Sequence, residues 1–517
     1  MLFRSLLTGN DFNPSIDYQE LGLSYPIYQV LIYESYMPYF RSYSFILREE
    51  LKDTVVTRGK VLTLKPEIAK IVTHGENDTT GVNVDDYDYV WYTYNEVTGK
   101  RDTLGNRSYL EDTIYLPISD KYRVTFSITE KASGVAWLNQ FGLKVIGAYK
   151  NGFLFLTEDA TGEVELELYG DDAQGGKIRE TGMLQRSGFP YRKGGANAVS
   201  YISWDRMNIK QIWVATGEAT GWLTIPDMVW LETNMATYMM VEAKPISYTF
   251  KKMYAYKQND LKEFFVTDEG EVHWFDPTGA FYSDCAYNGG QKFKASTILG
   301  VSGDCILLYN ETGKYFLSYS TWSPMYAKSE STRLSGADAL EGSDLIYMQG
   351  IADGSVIVIT KDPDGLYRRY VYVSSLDFSS YPPGAVFKQE TNFTQELQNN
   401  ANMLEEAEHI VLDRGNGFIY FAIGSTLYNY REGGGIDACV KLNDLMFEGE
   451  KVVMDEITAM AVVTDGKYNK DVIVATYSAE TKGKVYVLRP DQSESRRMEV
   501  VEIIPTNEMV KSISYWQ

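Results

Sequence analysis

Along nearly the whole chain, hydrophobic and polar positions alternate with a period of two, in short runs closed by Gly, Asp, Asn or Pro. That period puts successive side chains on opposite faces of extended strands. Helical spacing is confined to one stretch, 394–408, which predicts a polar, exposed helix. The chain therefore reads as all-β. Residues 1–44 follow neither period; Tyr-rich and broken by Pro14, Pro26 and Pro38, they predict an irregular N-terminal segment.

From 45 to 143 the alternating runs fall at 44–47, 60–66, 87–94, 112–116 and 122–128, joined by polar loops. This spacing predicts a small β-sandwich centred on Trp91, with Tyr87 and Tyr89 at alternate positions beside it.

From 144 to 517 one shape recurs: an apolar strand, a polar turn with glycine, and a second strand. The instances are FLFLTEDATGEVELEL (153–168), IWVATGEATGWLTI (212–225), FFVTDEGEVHWF (264–275), CILLYNETGKYFLSY (305–319), VIVITKDPDGLYRRYVYV (356–373), IYFAIGSTLYNY (419–430) and VIVATYSAETKGKVYVL (472–488). The turn glycines read from them are Gly162, Gly221, Gly270, Gly313, Gly365, Gly424 and Gly483, spaced 43 to 59 residues apart. A four-stranded propeller blade takes roughly 40–50 residues, so each interval holds one blade and a loop. Seven hairpins predict a seven-bladed β-propeller, with the strand at 509–515 pairing back onto the first blade to remove the open edge. The WD dipeptide is missing from the blade ends, so these are not WD40 repeats by sequence. Two stacked β-sandwiches are the alternative for the same strands.

Charge narrows the partners. With 49 Lys and Arg against 70 Asp and Glu the net charge is −21. Such a chain repels phosphate backbones, which excludes nucleic acid. Cys285, Cys305 and Cys439 form no CxxC pair; free buried thiols are expected, with a Cys285–Cys305 bridge left open. His74, His273 and His409 lie far apart and match no zinc spacing. No apolar run approaches the roughly 20 residues a bilayer requires. The first residues show no export signal and no N-terminal Cys for a lipid, which predicts either a cytosolic protein or an incomplete start.

The chemical motifs are weak. Thr98-Gly99-Lys100 and Thr312-Gly313-Lys314 lack the upstream glycine of a phosphate loop and read as hairpin turns; no nucleotide or other cofactor is implied. Among many carboxylates, Asp338, Glu341 and Asp344, and Asp284 apart from them, are candidates for a glycosidase-type pair, with solvated loops the ordinary reading. Glu76, Asn77 and Asp78 with Asp85, Asp86 and Asp88 form the densest group of hard oxygen donors, a calcium candidate (Asp85, Asp86, Asp88) without the EF-hand spacing and by default an exposed acidic loop. Aromatic residues near Gly- or Pro-containing connections are the candidate ligand contacts: Trp204, Trp222, Trp230, Trp322, Tyr326 and Tyr381. Flat rings left uncovered there would suit stacking on sugars or packing on peptide side chains, against the ordinary alternative of core packing.

Three segments, YDYVWYTYNEVTG (87–99), YLPISDKYRVTFSITEKASG (115–134) and VIGAYKNGFLFLTED (145–159), together resemble the PKD-like lipoproteins of Bacteroidota. In that family a short Ig-like domain precedes a propeller-like region. The C-terminal part, VIVATYSAETKGKVYVLRP (472–490) through IPTNEMVKSISYW, is similar to the family's closing hairpin. The resemblance spans about 45–517 and rests on structural motifs, so no catalytic residue carries over. It implies an Ig/PKD-like sandwich before the propeller and a surface-exposed or periplasm-facing place at the outer membrane. The implied role is non-enzymatic: binding or scaffolding beside SusC/SusD-like nutrient importers, with a glycan or peptide ligand. It also implies a lipid anchor, and the signal and lipid-bearing Cys are not visible in this sequence. A polysaccharide hydrolase or lyase working from the propeller funnel is the first alternative, and a structural or adhesive surface protein the second.

Overall fold

The computed structural model describes residues 43–47 and 51–516, except 67, 73–77, 82, 97–98, 117–118, 148, 173–174, 205–208, 226–227, 256–262, 277–279, 282, 323–329, 351–353, 380, 391–394, 398–400, 414–417, 432–438, 443–444, 465 and 492–497. The described chain is nearly all-β and divides into two compact units, Met1–Tyr149 and Lys150–Gln517.

In the first unit a five-stranded sheet runs Thr54–Thr57, Ala136–Ile146, Ser119–Glu130, Tyr87–Asn95, Arg101–Gly105. Alternation turns Tyr87, Tyr89 and Trp91 to one buried face. Trp91 is fully enclosed and stacks on Phe126 with ring centres 4.0 Å apart. Its indole N–H donates to the Arg107 carbonyl at 2.9 Å, so the ring's polar edge is satisfied inside the core. Leu62 and Leu110, from the strand pair Val61–Leu64 and Leu110–Thr113, enter the same core from a separate sheet. A third sheet joins Tyr43–Leu47, Ile68–Val72 and Asp78–Gly81.

Among the described residues the second unit holds seven antiparallel sheets of three or more strands in succession, and two two-stranded pairs, Tyr287–Asn288 with Gln291–Lys292 and Met446–Phe447 with Glu450–Lys451. The first runs Met509–Trp516, Tyr149–Glu158, Val164–Asp172, Lys177–Glu180, so its leading strand is the last strand of the chain. The second runs Ala196–Trp204, Ile209–Thr216, Thr220–Thr224. The third begins with Lys252–Ala255, the fourth with Gly300–Ser302, the fifth with Asp344–Gly350, the sixth with His409–Asp413 and the seventh with Glu456–Val462. Each of the seven hairpins predicted from sequence supplies the second and third strands of one sheet.

These hairpin strands read as continuous apolar runs because both their faces are covered. The covering is cyclic. Trp213 and Trp222 of the second sheet share a core with Phe265 and Phe275 of the third. Phe264 and Trp274 pack with Leu308 and Tyr319 of the fourth, and Leu307 and Phe316 with Val358 and Tyr372 of the fifth. Ile359 meets Phe421 of the sixth, and Tyr420 meets Val474 and Tyr486 of the seventh. Finally Ile473 and Val485 of the seventh bury Phe153 and Phe155 of the first.

Some expectations are corrected. Among its described residues the stretch 394–408 is not an exposed helix. Gln395–Glu396 pairs with Arg368 and Arg369 of the fifth sheet, and Ala401–Leu404 makes a short 3-10 segment. Leu397, Ala401 and Leu404 carry the helical spacing, but all three are buried on the core between the fifth and sixth sheets, and that packing overrides local propensity. A five-residue helix at Met183–Ser187 was not expected from the pattern. Gly162, Gly270, Gly365 and Gly424 have the positive φ a tight turn requires, whereas Gly221 and Gly483 lie inside strands. A Cβ on Gly483 would sit 1.9 Å from Thr506 Oγ1, so close approach explains that glycine. In the hairpin at 305–319 the left-handed residue is Lys314, φ 51°, and not Gly313. Cys285 and Cys305 are both buried free thiols.

The first and second sheets are joined by side-chain hydroxyls. The Val199 and Tyr201 amides, on the leading strand of the second sheet, donate to Ser512 Oγ and Ser514 Oγ, each at 3.0 Å. These bonds satisfy edge N–H groups that no neighbouring strand reaches. The Ser512→Ala, Ser514→Ala double variant should lose about 1 kcal/mol per hydroxyl. Urea unfolding would show a lower midpoint at unchanged slope; an unchanged midpoint would remove these bonds from the account of ring closure.

Candidate functional site

Five leading strands face one another across a cavity of about 360 Å³. Residues from Lys252–Ala255, Gly300–Ser302, Asp344–Gly350 and His409–Asp413 line it, with Val462 and Thr464 from the end of the seventh sheet's leading strand. The wall is mostly apolar, with side chains such as Leu299, Met348 and Val411, and its polar points are Lys252, Gln349, Glu408 and Thr464. Two hydrogen bonds tie the wall between sheets. Tyr254 Oη donates to the Thr297 carbonyl at 2.5 Å, and the Leu412 amide donates to Gln349 Oε1 at 3.3 Å. Gln349 Oε1 also accepts from Tyr347 Oη, which fixes its amide. Burial pushes the Tyr254 phenol above its ordinary pKa, so it stays a neutral donor.

The charged groups here are unusual for the chain. Lys252 keeps solvent contact, yet the surrounding protein desolvates its ammonium, and this with the adjacent Lys251 lowers its pKa. His409 is pushed below the ordinary imidazole value, first by burial and then by the charges of Lys252 and Lys511, against the opposing pull of Glu408.

A second cluster lies in the third sheet and its flanking loops. The Glu271 carboxylate accepts from Lys292 and from Tyr248 Oη, and Lys244 Nζ stands 3.3 Å from it. Tyr248 Oη is also 2.7 Å from His273 Nε2, and that imidazole nitrogen is 3.9 Å from Glu271. His273, Lys292 and Tyr248 together hold the Glu271 carboxyl well below the usual carboxylate range, outweighing its burial. Burial and the Glu271 charge push the Tyr248 phenol well up. Beside them a cavity of about 400 Å³ is lined by Asn197, Lys251 and Asp268 as well as Lys244, Tyr248 and Glu271. Glu271 is already saturated with donors, so this cluster reads as a structural knot between the second and third sheets. Asp284 belongs to it: its Oδ1 accepts the Val272 and Ala286 amides at 2.9 Å, and Lys292 stands 3.4 Å from Oδ2.

No protein-family description and no curated protein matches the chain. Among solved structures it is similar to a quinonprotein alcohol dehydrogenase-like protein from Bacteroides thetaiotaomicron, at 11% identity and TM-score 0.46, covering 91% of this chain and 98% of that one. It is also similar to an auxiliary nutrient binding protein from the same bacterium, at 9% identity and TM-score 0.30, covering 81% and 92%. A third is the β-propeller domain of Cps50 (Swd1) from Myceliophteria thermophila, at 12% identity and TM-score 0.35, covering 64% and 94%. At these values the likeness carries no argument about what the chain does.

The residues singled out from sequence scatter. Trp222 is buried against Trp213, ring centres 4.9 Å apart, because its strand position faces the second–third core. Trp230 is half-buried and meets Phe189 and Tyr191 edge-on. Trp204 ends the leading strand of the second sheet, with its side chain outside the described residues, and Tyr326 lies outside them altogether. Trp322 and Tyr381 do stay open, at 47% and 88% exposure. Trp322 packs edge-on against the exposed Phe378, so one loop end carries an aromatic surface. Asp85, Asp86 and Asp88 are exposed; Lys131 stands 3.8 Å from Asp88 and donates to the Asp85 carbonyl. Among the described residues no three His, Cys, Asp or Glu side chains converge as metal ligands. Asp338, Glu341 and Asp344 pair separately with Lys388, Arg333 and Lys314. Lys252 and Glu408 were missed as a site because they sit 156 positions apart (408 − 252), in segments of separate sheets.

Since the folded pKa of Glu271 lies below its ordinary 4.5, its stabilisation is present above that pH and lost as pH falls through the folded value. Glu271→Gln should therefore destabilise the protein by about 2 kcal/mol at neutral pH, and the gap from wild type should close in acid. Denaturation midpoints measured at both pH values check this; a gap that persists in acid would mean the charge is not its source.

Proposed function

We propose that residues 144–517 form a seven-bladed β-propeller and that the protein is a non-enzymatic binding component of a nutrient-uptake system at the bacterial outer membrane. The observation that carries the binding role is the cavity between the leading strands. Its volume falls within the roughly 300–1,000 Å³ of small-ligand sites, and an apolar wall with a few convergent polar groups is how such sites orient a ligand. Cyclic packing of seven sheets and the return of Met509–Trp516 to the first sheet support the propeller reading. The N-terminal unit, with Trp91 in a core shared by two sheets, supports an Ig/PKD-like sandwich.

The PKD-like resemblance supports the cellular setting: lipid-anchored, extracytoplasmic, and beside a SusC/SusD-like importer. A glycosidase needs two carboxylates across a cleft. Glu408 is the one carboxylate among the described residues lining this cavity, which weighs toward binding and away from hydrolysis. A purely adhesive protein would not require such a cavity.

Thr464 lines the cavity from an exposed position, so Thr464→Trp fills it without disturbing packed side chains. Calorimetric titration with panels of small oligosaccharides and short peptides should find a ligand whose binding this variant abolishes. Wild-type protein that binds none of them, or a variant that binds as well as wild type, would sink the reading.

A further inference from the structure

We infer that the cavity takes a small ligand carrying both a carboxylate and an ammonium group, an amino acid or a short peptide with free termini, held between Lys252 and Glu408. This rests on the binding reading above and names the chemistry of its ligand. Opposite charges in the second unit ordinarily meet. Arg179 meets Glu167 at 2.9 Å, Arg192 meets Glu165 at 2.8 Å and Arg489 meets Asp471 at 2.8 Å. Lys252 and Glu408 differ. Both line the cavity, and no hydrogen bond or ion pair joins either side chain to a described residue.

They arrive from separate sheets. Lys252 opens the leading strand of the third, where it pairs with Val266. Glu408 directly precedes the leading strand of the sixth, and its amide donates to the Ala422 carbonyl at 3.1 Å. Sheet hydrogen bonding thus fixes both anchor points. No other charged side chain among the described residues lines the cavity, so it holds one charge of each sign. A lone anion would meet Lys252 and be repelled by Glu408, and a lone cation the reverse. An uncharged ligand would displace water from both groups and meet neither charge. A ligand with both groups meets both, each through a charge-assisted hydrogen bond. The protein around Lys252 already desolvates its ammonium, a cost that an arriving carboxylate offsets.

The rest of the cavity limits the ligand further. About 360 Å³ is room for a small molecule and not for a polymer chain. The apolar wall at Leu299, Met348 and Val411 suits an aliphatic side chain. Gln349 Oε1 is occupied by the Leu412 amide and the Tyr347 hydroxyl. Its Nε2 makes no hydrogen bond to a described residue, which leaves a donor for a peptide carbonyl.

The test is calorimetric titration of the full chain with leucine, alanyl-leucine and trialanine, with their N-acetylated and C-amidated forms, and with the uncharged disaccharide maltose. A free zwitterion should bind, and blocking either end should weaken it at least about tenfold. Which zwitterion binds tightest sets the spacing of the two charges. Lys252→Met should weaken the free form about tenfold without weakening the amidated form further, and Glu408→Gln should do the same with the acetylated form. A purely structural effect would weaken every form alike. Lys252→Arg should restore most of the loss, and added salt should weaken wild-type binding. Both side chains keep solvent contact, and each charge has its own variant and its own blocked ligand, so a folding defect in one leaves the other to decide. Either blocked form binding as tightly as the free one, or charge variants with wild-type affinity, would overturn this inference. If maltose or a blocked peptide bound instead and Thr464→Trp abolished that binding, the cavity would stand as a binding site and only the doubly charged ligand would fall. No binding by any probe would overturn both.

Discussion

The strand Met509–Trp516 must travel back to Tyr149–Glu158, and the closure of the second unit depends on that pairing. Until it forms, the first sheet has no leading strand, and the backbone edge of Tyr149–Glu158 stands unpaired. The same strand supplies Ser512 and Ser514 to the edge amides of the second sheet and Trp516 to a ring contact with Tyr201. Its Ile513 and Tyr515 pack on the core of the first and seventh sheets. Loop closure over more than 300 residues delays such contacts in folding, so the six local hairpin sheets are free to form before the ring is sealed.

Once the sheets face one another in a cycle, the composition follows. A side chain spanning two sheets has to be large, and near a strand end it needs a polar tip. Tyrosine meets both demands. Tyr309 Oη reaches the Ser343 carbonyl and Tyr372 Oη the Asp338 carbonyl, each at 2.7 Å and each from one sheet to the segment before or beside the next. Tyr468 Oη donates to Glu502 at 2.8 Å, and Tyr169 Oη shares that carboxylate across the first and seventh sheets. Tyr309, Tyr372, Tyr468 and Tyr169 thus act as struts between sheets, and burial with nearby carboxylates keeps the Tyr372 and Tyr468 phenols protonated. At Trp322, Phe378 and Tyr381, outside these contacts, aromatic faces are left to solvent.

The hairpins were legible because they are local. Alternating or fully apolar strands around a turn declare themselves within about fifteen residues, and all seven recur as second and third strands. The return of the last strand could be anticipated from the need to close an edge. What the letters hid was decided at long range. The spacing of Leu397, Ala401 and Leu404 imitates a helix, and only the adjacent sheets reveal that these residues cover a core. Gly221 and Gly483 resemble turn glycines until a neighbouring strand shows why no Cβ fits there. The site was hidden for the same reason. Lys252, Gln349 and Glu408 carry no motif, and they line one cavity because separate sheets bring them together.

That arrangement also explains how one fold can keep a cavity while packing tightly elsewhere. Leading strands can approach only as closely as their inward side chains allow. At Gly350 a Cβ would lie 1.7 Å from the Val301 carbonyl, so the fourth and fifth sheets meet there backbone to backbone. Gly300 is enclosed instead by the side chains of Val356 and Met348. The third and sixth sheets instead present Lys252 and Glu408 to the cavity, side chains that require water and so hold space open. Close packing on one side of the ring and hydrated charge on the other set the cavity's width together. A larger residue at 350 would push the fourth and fifth leading strands apart and reshape the cavity without touching any of the groups that line it on the far side.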